Sequence, residues 1–171
     1  MIRRLFLAAL LPLAALALSG CAGYKLGSTL PPDIRTIYVP TCINQTTEPL
    51  IEIDVTRGVV SEIQMDGTLK IVNSEEAADA VLEITLLDFY LKPVSYTSGS
   101  ASTANAYRMN IKASFYLRRV RDGAVLVESP ALVGWEEFSM TGDMTTSKSV
   151  ALRPAAEDLG ERIVATITEV W

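Results

Sequence analysis

The sequence predicts an α+β fold, with two helices packed on one face of a mostly antiparallel sheet of about four to five strands. Three observations support this fold class. Segments typical of strands and helices follow one another in the order strand, helix, strands, helix. Residues 107–118 alternate apolar and polar side chains without a break, which is typical of a strand with one buried and one wet face. The pair Asp122-Gly123 then marks a tight turn into a returning strand, so the central strands should pair antiparallel.

The first part of the predicted domain contains a short strand and a helix. Residues 34–40 are β-branched and aromatic and lie between prolines, which favours a strand. Thr47 is a suitable N-cap for the helix, Pro49 fits its first turn, and Asp66-Gly67 is a stop signal. Four apolar residues lie near one stripe and are predicted to form its buried face: Leu50, Ile53, Val60 and Ile63.

Two strands follow this helix. Residues 68–72 form a compact strand, residues 75–79 a turn or helical stub, and residues 80–94 a longer strand. The polar stretch 95–105 is interpreted as the tip of a hairpin. One face of the longer strand is predicted to contain Leu82, Ile84 and Leu86.

The last part of the chain contains a strand and an amphipathic helix. The strand returns from Ala124 toward Phe138 and should be bent or bulged at Pro130. The helix runs to the C-terminus, with Pro154 either in its first turn or at a kink. Its apolar residues recur at three- and four-residue steps: Leu152, Ala156, Leu159, Ile163, Ile167 and Val170.

The N-terminus has the anatomy of a bacterial lipoprotein signal. Arg3 and Arg4 precede an apolar run at residues 5–18, which is shorter than the ~20 residues of a membrane-spanning helix. The segment Leu18-Ser19-Gly20-Cys21 resembles the lipobox, so Cys21 is predicted to carry acyl chains such as palmitate. Ala22 in the next position favours the outer membrane. We therefore divide the chain into a lipoprotein signal peptide (1–20), a lipidated N-terminus and short tether (21–33), and a single α+β domain (34–171).

Composition and charge exclude several classes of function. Removal of residues 1–20 takes away two of the 15 basic residues and no acid, which leaves 13 basic and 20 acidic residues and a net charge of −7. An acidic protein of this kind is poorly suited to nucleic acid, because binding to phosphates needs clustered Lys and Arg. If Cys21 is acylated, Cys42 has no partner for a disulfide and is predicted to be a buried apolar residue.

No catalytic, cofactor or metal site is predicted, since the chain has no histidine, no glycine-rich phosphate loop and no nucleophile elbow. The motif Asn44-Gln45-Thr46 is interpreted as a turn built by side-chain hydrogen bonds rather than a glycosylation site. Four basic residues on or beside the wet face of the alternating strand allow two interpretations. Either they bind an anionic glycolipid head group, or they form a solvated face and pair with acidic residues. The four basic residues are Lys112, Arg118, Arg119 and Arg121.

Three segments resemble the LptE family of lipopolysaccharide-assembly outer-membrane lipoproteins: residues 21–26 (CAGYKL), residues 30–40 (LPPDIRTIYVP) and residues 44–49. The resemblance implies a non-catalytic lipoprotein on the periplasmic side of the outer membrane. Its partner would be an LptD-like β-barrel in whose lumen it lies, and its role the assembly of that barrel and the transport of lipopolysaccharide to the outer leaflet. In that arrangement residues 95–105 are the expected contact inside the lumen.

A second class shares the opening strand and helix, namely outer-membrane lipoproteins that activate a peptidoglycan synthase. Such an activator needs a long tether to cross the periplasm. Only about a dozen residues separate Cys21 from the first predicted strand, and each spans at most ~3.5 Å. The short tether favours the barrel partner.

Overall fold

The computed structural model describes residues 30–96 and 104–168, which form six strands, two α-helices and a 3-10 turn. In chain order they are β1 (Thr36–Tyr38), β2 (Ile43–Asn44), α1 (Ile51–Asp66), β3 (Lys70–Ile71), the 3-10 turn (Glu75–Ala77), β4 (Ala80–Tyr96), β5 (Ala104–Arg119), β6 (Val125–Ser139) and α2 (Met144–Thr168). The predicted α+β class is confirmed. The signal peptide, Cys21, most of the predicted hairpin tip and Val170 lie outside the described residues.

The strands form one sheet in the order β3-β1-β4-β5-β6. The three long strands pair antiparallel, β4 with β5 and β5 with β6. The short strands β1 and β2 lie one after the other along β4 and run parallel to it, and β3 runs parallel to β1. The sheet is therefore mostly antiparallel, as predicted, with a short parallel edge.

One face of this sheet lines the hydrophobic core. On β5 the buried apolar residues alternate as predicted from Met109 to Leu117, and the pairing register places them beside the buried face of β4. Asn110, predicted on the solvated face, is also buried, and Tyr107 is only partly buried. Both helices lie over this face, and full burial of each large aliphatic side chain contributes about 1.5–3 kcal/mol. The buried residues of the two strands are Leu82, Ile84, Leu86, Met109, Ile111, Ala113, Phe115 and Leu117.

Strand β6 is the outer strand of the sheet, and it is irregular in the middle. Its register with β5 shifts between Ser129 and Leu132, so the predicted irregularity at Pro130 is confirmed. Farther along, the backbone N–H of Trp135 donates to the Asp158 carboxylate of α2 at 2.8 Å. Arg162 donates to the same carboxylate. Helix α2 thus covers part of an edge that would otherwise be free to pair with another strand.

The start and the buried stripe of α1 differ from the prediction. The N-cap is Leu50 rather than Thr47, and Pro49 precedes the helix instead of lying in its first turn. Leu50 adopts a left-handed conformation with φ 63° and is 65% exposed. Of the four residues predicted to be buried, only Ile63 is. Apolar β-branched residues occur on more than one side of this helix, and packing against α2 buries the stripe of Ile51, Val55, Gly58, Val59 and Ile63.

Helix α2 follows its predicted stripe, with Ala156, Leu159, Ile163 and Ile167 buried. It begins at Met144, so of the two positions predicted for Pro154 the structure shows the interior and not the first turn. Val150 supplies the carbonyl that loses a hydrogen bond there, and this residue is exposed, so water can replace the missing donor. Neither described helix is both long and apolar enough to cross a membrane.

The two helices touch through glycine backbones. A Cβ atom added to Gly58 of α1 would lie 2.8 Å from the Ala156 carbonyl oxygen of α2, and one added to Gly160 would lie 3.0 Å from Gly58. Below α2, a Cβ atom on Gly134 of β6 would lie 2.4 Å from Leu159 Cβ. The absence of these side chains therefore permits the close approach of α1 to α2 and of α2 to β6.

Replacement of Gly58 by Ala tests this packing, because helix propensity and overpacking change the free energy of unfolding in opposite directions. Helix propensity alone would stabilise the protein by about 1 kcal/mol. Overpacking against the Ala156 carbonyl should outweigh it and lower the free energy of unfolding by about 1–3 kcal/mol, measured by urea denaturation.

The matched control is Ser61→Ala, which changes an exposed residue of the same helix and should alter the free energy of unfolding by less than about 0.5 kcal/mol. A Gly58→Ala protein more stable than the wild type would contradict the glycine contact.

Candidate functional site

The four basic residues singled out in the sequence occupy different places on the fold. Lys112 lies in the middle of β5 on the face that the helices leave open, paired in register with Asp88 and Val133. Arg118 lies near the end of the same strand, roughly 20 Å away at about 3.4 Å per residue. Arg119 and Arg121 lie at the turn into β6. The structure brings the three arginines to one end of the sheet and leaves Lys112 apart.

Arg118 is paired with two carboxylates. Its Nη2 atom lies 3.1 Å from Glu75 Oε1 and 3.2 Å from Glu83 Oε1. The hydrogen bonds that Arg118 donates to Glu75 and Glu83 raise the pKa of Arg118 above its usual value. The Tyr116 hydroxyl donates to Glu83 Oε2 at 2.5 Å, and this bond raises the pKa of Tyr116 because it favours the protonated phenol. The charge of Arg118 is therefore locally compensated.

Arg119 and Arg121 share two aspartates. Arg121 Nη1 lies 3.1 Å from Asp33 Oδ2, and Arg119 Nη1 lies 3.1 Å from Asp122 Oδ2. The Ala124 N–H first, and Arg119 and Arg121 in addition, hold the pKa of Asp122 below its usual value. Since Asp33 precedes β1, these pairs attach the start of the described chain to the hairpin turn between β5 and β6.

A cavity of about 360 Å³ opens beside this turn. Its lining includes Asp33, Asp79, Arg119 and Arg121. Arg119 Nε is buried and has no hydrogen-bond partner in the described part of the chain, since Asp33 Oδ2 is 3.8 Å away. A buried guanidinium N–H without an acceptor, beside a cavity lined by charged and apolar residues, can donate to an additional acceptor.

Asp79 joins the N-terminal strand to this end of the sheet. Its Oδ2 atom accepts hydrogen bonds from the Arg35 N–H at 3.0 Å, the Thr36 N–H at 2.9 Å and the Thr36 hydroxyl at 2.8 Å. These donors stabilise the carboxylate, with the Arg35 N–H contributing most, and hold the pKa of Asp79 below its usual value.

The sequence did not assign roles to Asp33 and Asp79. Asp33 lies in a segment that carried the resemblance to a family and Asp79 follows the predicted turn or helical stub, but their partners are distant along the chain. Asp79 bonds to Thr36, 43 residues away. No local spacing rule links such residues, so only the fold identifies them.

Two other predictions are confirmed, one for the turn at Asn44 and one for the burial of Cys42. Asn44 Oδ1 accepts from the N–H and the hydroxyl of Thr46, and Asn44 Nδ2 donates to the Glu48 carbonyl, so this motif builds the turn before α1. Cys42 is a buried free thiol. Burial raises the pKa of Cys42, which keeps it protonated at neutral pH.

Comparison with known families finds a match over most of the chain. A sequence profile of the LptE family, described as lipopolysaccharide-assembly, matches residues 34–167. No sequence among curated proteins matches at a significant level.

Solved structures with a related fold include three distant examples. A minor lipoprotein from Acinetobacter baumannii has 12% identity and a TM-score of 0.50, and the similarity covers 78% of this chain and 92% of that one. A hypothetical protein from Chlamydia trachomatis has 11% identity and a TM-score of 0.52, covering 77% and 94%. A protein from Xanthomonas campestris has 13% identity and a TM-score of 0.51, covering 79% and 86%. At such identities the similarity concerns the fold alone.

Asp79 should make the stability of the protein sensitive to acid. Because its folded pKa is below the unfolded value of about 3.9, its contribution is complete above that pH and is lost as the pH falls through the folded pKa. The Asp79→Asn variant should unfold with a free energy about 1 kcal/mol lower at pH 7, and this difference should shrink toward about pH 2.5. Urea denaturation at both pH values measures it.

Asp88→Asn is the control, because Asp88 is exposed on the same strand and, among the described residues, accepts only from the N–H of Phe89 next to it. It should have little effect at either pH. An Asp79→Asn effect that is equally large at the two pH values would show that the carboxylate charge is not responsible.

Proposed function

Since this chain belongs to the LptE family of lipopolysaccharide-assembly proteins, we propose that it is the non-catalytic lipoprotein partner of an LptD-like β-barrel in the outer membrane. In this proposal it assists the assembly of the barrel and the transport of lipopolysaccharide to the outer leaflet. The family match over residues 34–167 is the observation that carries the proposal. The domain would lie on the periplasmic side and in the barrel lumen, with residues 95–105 in contact with the inner wall.

The anchor is Cys21 in this proposal, through acyl chains on its sulfur. Two or more chains hold a protein on a membrane essentially permanently, whereas one binds only marginally. Asp33 follows Cys21 by twelve residues and pairs with Arg121. An extended segment of this length reaches at most about 42 Å, so the hairpin end of the sheet would stay near the membrane surface.

The arginines at this end are the proposed contacts for lipopolysaccharide. Arg119 and Arg121 line the cavity described above, and the unpaired Arg119 Nε would donate to a phosphate or carboxylate of the ligand. Arg118 and Lys112 would extend this contact along the open face. The existing pairs with Asp33, Glu75 and Glu83 keep the arginines in place in the absence of ligand.

Affinity purification of the full chain from detergent-solubilised outer membranes tests the partner. We expect to recover a large β-barrel protein. The Cys21→Ser variant, which lacks the sulfur that would be acylated, should be lost from the membrane fraction and should not take up a labelled fatty acid.

Recovery of a penicillin-binding protein without a large barrel would overturn the proposed partner and favour the activator of a peptidoglycan synthase. Fatty-acid labelling of the Cys21→Ser variant would refute the anchor separately, because it does not depend on the partner.

Replacement of Arg118, Arg119 and Arg121 together by Ala tests the ligand contact. Loss of three charged donors should weaken the binding of fluorescently labelled lipopolysaccharide to the full chain by at least about tenfold, as measured by titration in detergent micelles. Lys112→Ala alone should have a smaller effect, because Lys112 lies apart from the cavity.

Arg153→Ala is the matched control. Arg153 is an exposed arginine on α2 that pairs with Glu157, far from the cavity in sequence and on another element. Its loss should leave binding unchanged. Unchanged binding in the triple variant, with the fold intact by circular dichroism, would leave the arginines as a solvated face paired with acids.

A further inference from the structure

The open face of the sheet carries a row of three side chains that the proposed function does not use. Tyr90 of β4 pairs in register with Asn110 of β5, and Asn110 pairs with Trp135 of β6. Paired residues lie on the same face, so the three side chains cross the sheet side by side on the face without helices. We call Tyr90, Asn110 and Trp135 the aromatic row.

Two members of the aromatic row are large and exposed. Tyr90 is 42% exposed and Trp135 is 38% exposed, whereas Asn110 between them is 7% exposed. The two aromatic residues are separated by two strand spacings, about 10 Å. Each presents an aromatic surface and a polar atom to solvent, with a recessed amide between them.

Neighbouring charges hold Trp135 in place. The Arg108 guanidinium lies 4.6 Å from the centre of the Trp135 ring, and Arg108 Nε donates to Glu137 at 3.0 Å. Asn110 Nδ2 donates to the Arg108 carbonyl at 3.1 Å. This bond orients the largely buried Asn110 amide between the two rings.

The charges around the row are mixed. Lys92, Arg108 and Lys112 are basic and Asp88 and Glu137 are acidic, and in the pairing register they lie beside Tyr90, Asn110 or Trp135. A surface of this kind lacks the single sign of charge that a polyanion requires. In the pairing register Asn110 separates the two exposed aromatic residues, so they do not join into the apolar area that would favour an acyl chain.

We propose that the aromatic row binds a saccharide chain. Sugar rings present C–H faces that pack on aromatic rings, and their hydroxyl groups both donate and accept hydrogen bonds. Tyr90 and Trp135 would each stack on one ring of the chain. Asn110 Oδ1 would accept from a hydroxyl between them, and the flanking Asp88, Lys112 and Arg108 would bond to the remaining hydroxyls.

The inference deepens the proposed function and rests on it for the identity of the saccharide, which would be the glycan part of lipopolysaccharide. The aromatic row then binds sugar, while the arginines at the hairpin end bind acidic groups. The aromatic row and the arginines lie apart along β5, with Lys112 between them, so variants of the row and of the arginines test the two sites one at a time.

The test uses the full chain and a lipid-free core oligosaccharide released from lipopolysaccharide by mild acid. Isothermal titration calorimetry should detect binding to the wild type. Tyr90→Ala and Trp135→Ala should each weaken this binding by at least about tenfold, and Trp135→Phe, which keeps a ring, should lose less.

Val94→Ala is the matched control, because Val94 is an apolar residue of the same strand as Tyr90 with similar exposure, 40%, but lies outside the row. It should bind the oligosaccharide like the wild type, and all variants should keep the wild-type circular dichroism spectrum. The absence of wild-type binding, or equal affinity in Tyr90→Ala and Trp135→Ala, overturns the inference.

Affinity purification of the barrel protein distinguishes failure of the saccharide inference from failure of the proposed partner. If Tyr90→Ala and Trp135→Ala bind the oligosaccharide normally but no longer recover the barrel, the row is a protein-docking surface and the saccharide inference fails while the proposed function stands. If the wild type binds the oligosaccharide through the row but recovers no barrel, the proposed partner fails and the saccharide site stands.

Discussion

The contact between the Gly58 and Gly160 backbones sets how closely α1 and α2 pack, and most of the fold follows from that distance. With α2 held against α1 on one side and against Gly134 of β6 on the other, both helices fit over the same sheet face. The close crossing also determines which residues of α1 are buried, because only the stripe that contains Gly58 can meet α2. Larger residues at these positions would force the layers apart and expose the core between helices and sheet.

Because the helices occupy one face, the other face of β4, β5 and β6 remains in contact with solvent. Its side chains satisfy one another across the strands, as in the pairs Arg108–Glu137 and Arg118–Glu83. Exposed pairs of this kind add little to stability, typically below about 1 kcal/mol each. Their main effect is to hold long side chains in defined positions, which prepares a surface for a ligand without a change of the backbone.

The hairpin end of the sheet connects this surface to the start of the domain. Asp79 bonds to the backbone of β1, and Asp33 pairs with the arginines of the β5–β6 turn. The chain that comes from Cys21 is therefore fixed to the same end as the cavity. If Cys21 is acylated as proposed, attachment to the membrane and contact with an anionic ligand would occur at one place on the molecule.

The sequence by itself determined the order of the elements other than β2, the buried apolar face of β5 from Met109 to Leu117, the irregularity at Pro130 and the turn at Asn44. Each of these depends on neighbouring residues or on a repeat of two or 3.6 residues. It also carried the family, through segments that are contiguous in the chain. Tertiary structure decided the buried stripe of α1, the cap at Leu50, the partners of Asp79 and the alignment of Tyr90 with Trp135. These depend on contacts between residues far apart in sequence, where packing between helices or strand register selects among arrangements that local propensity leaves nearly equal in energy.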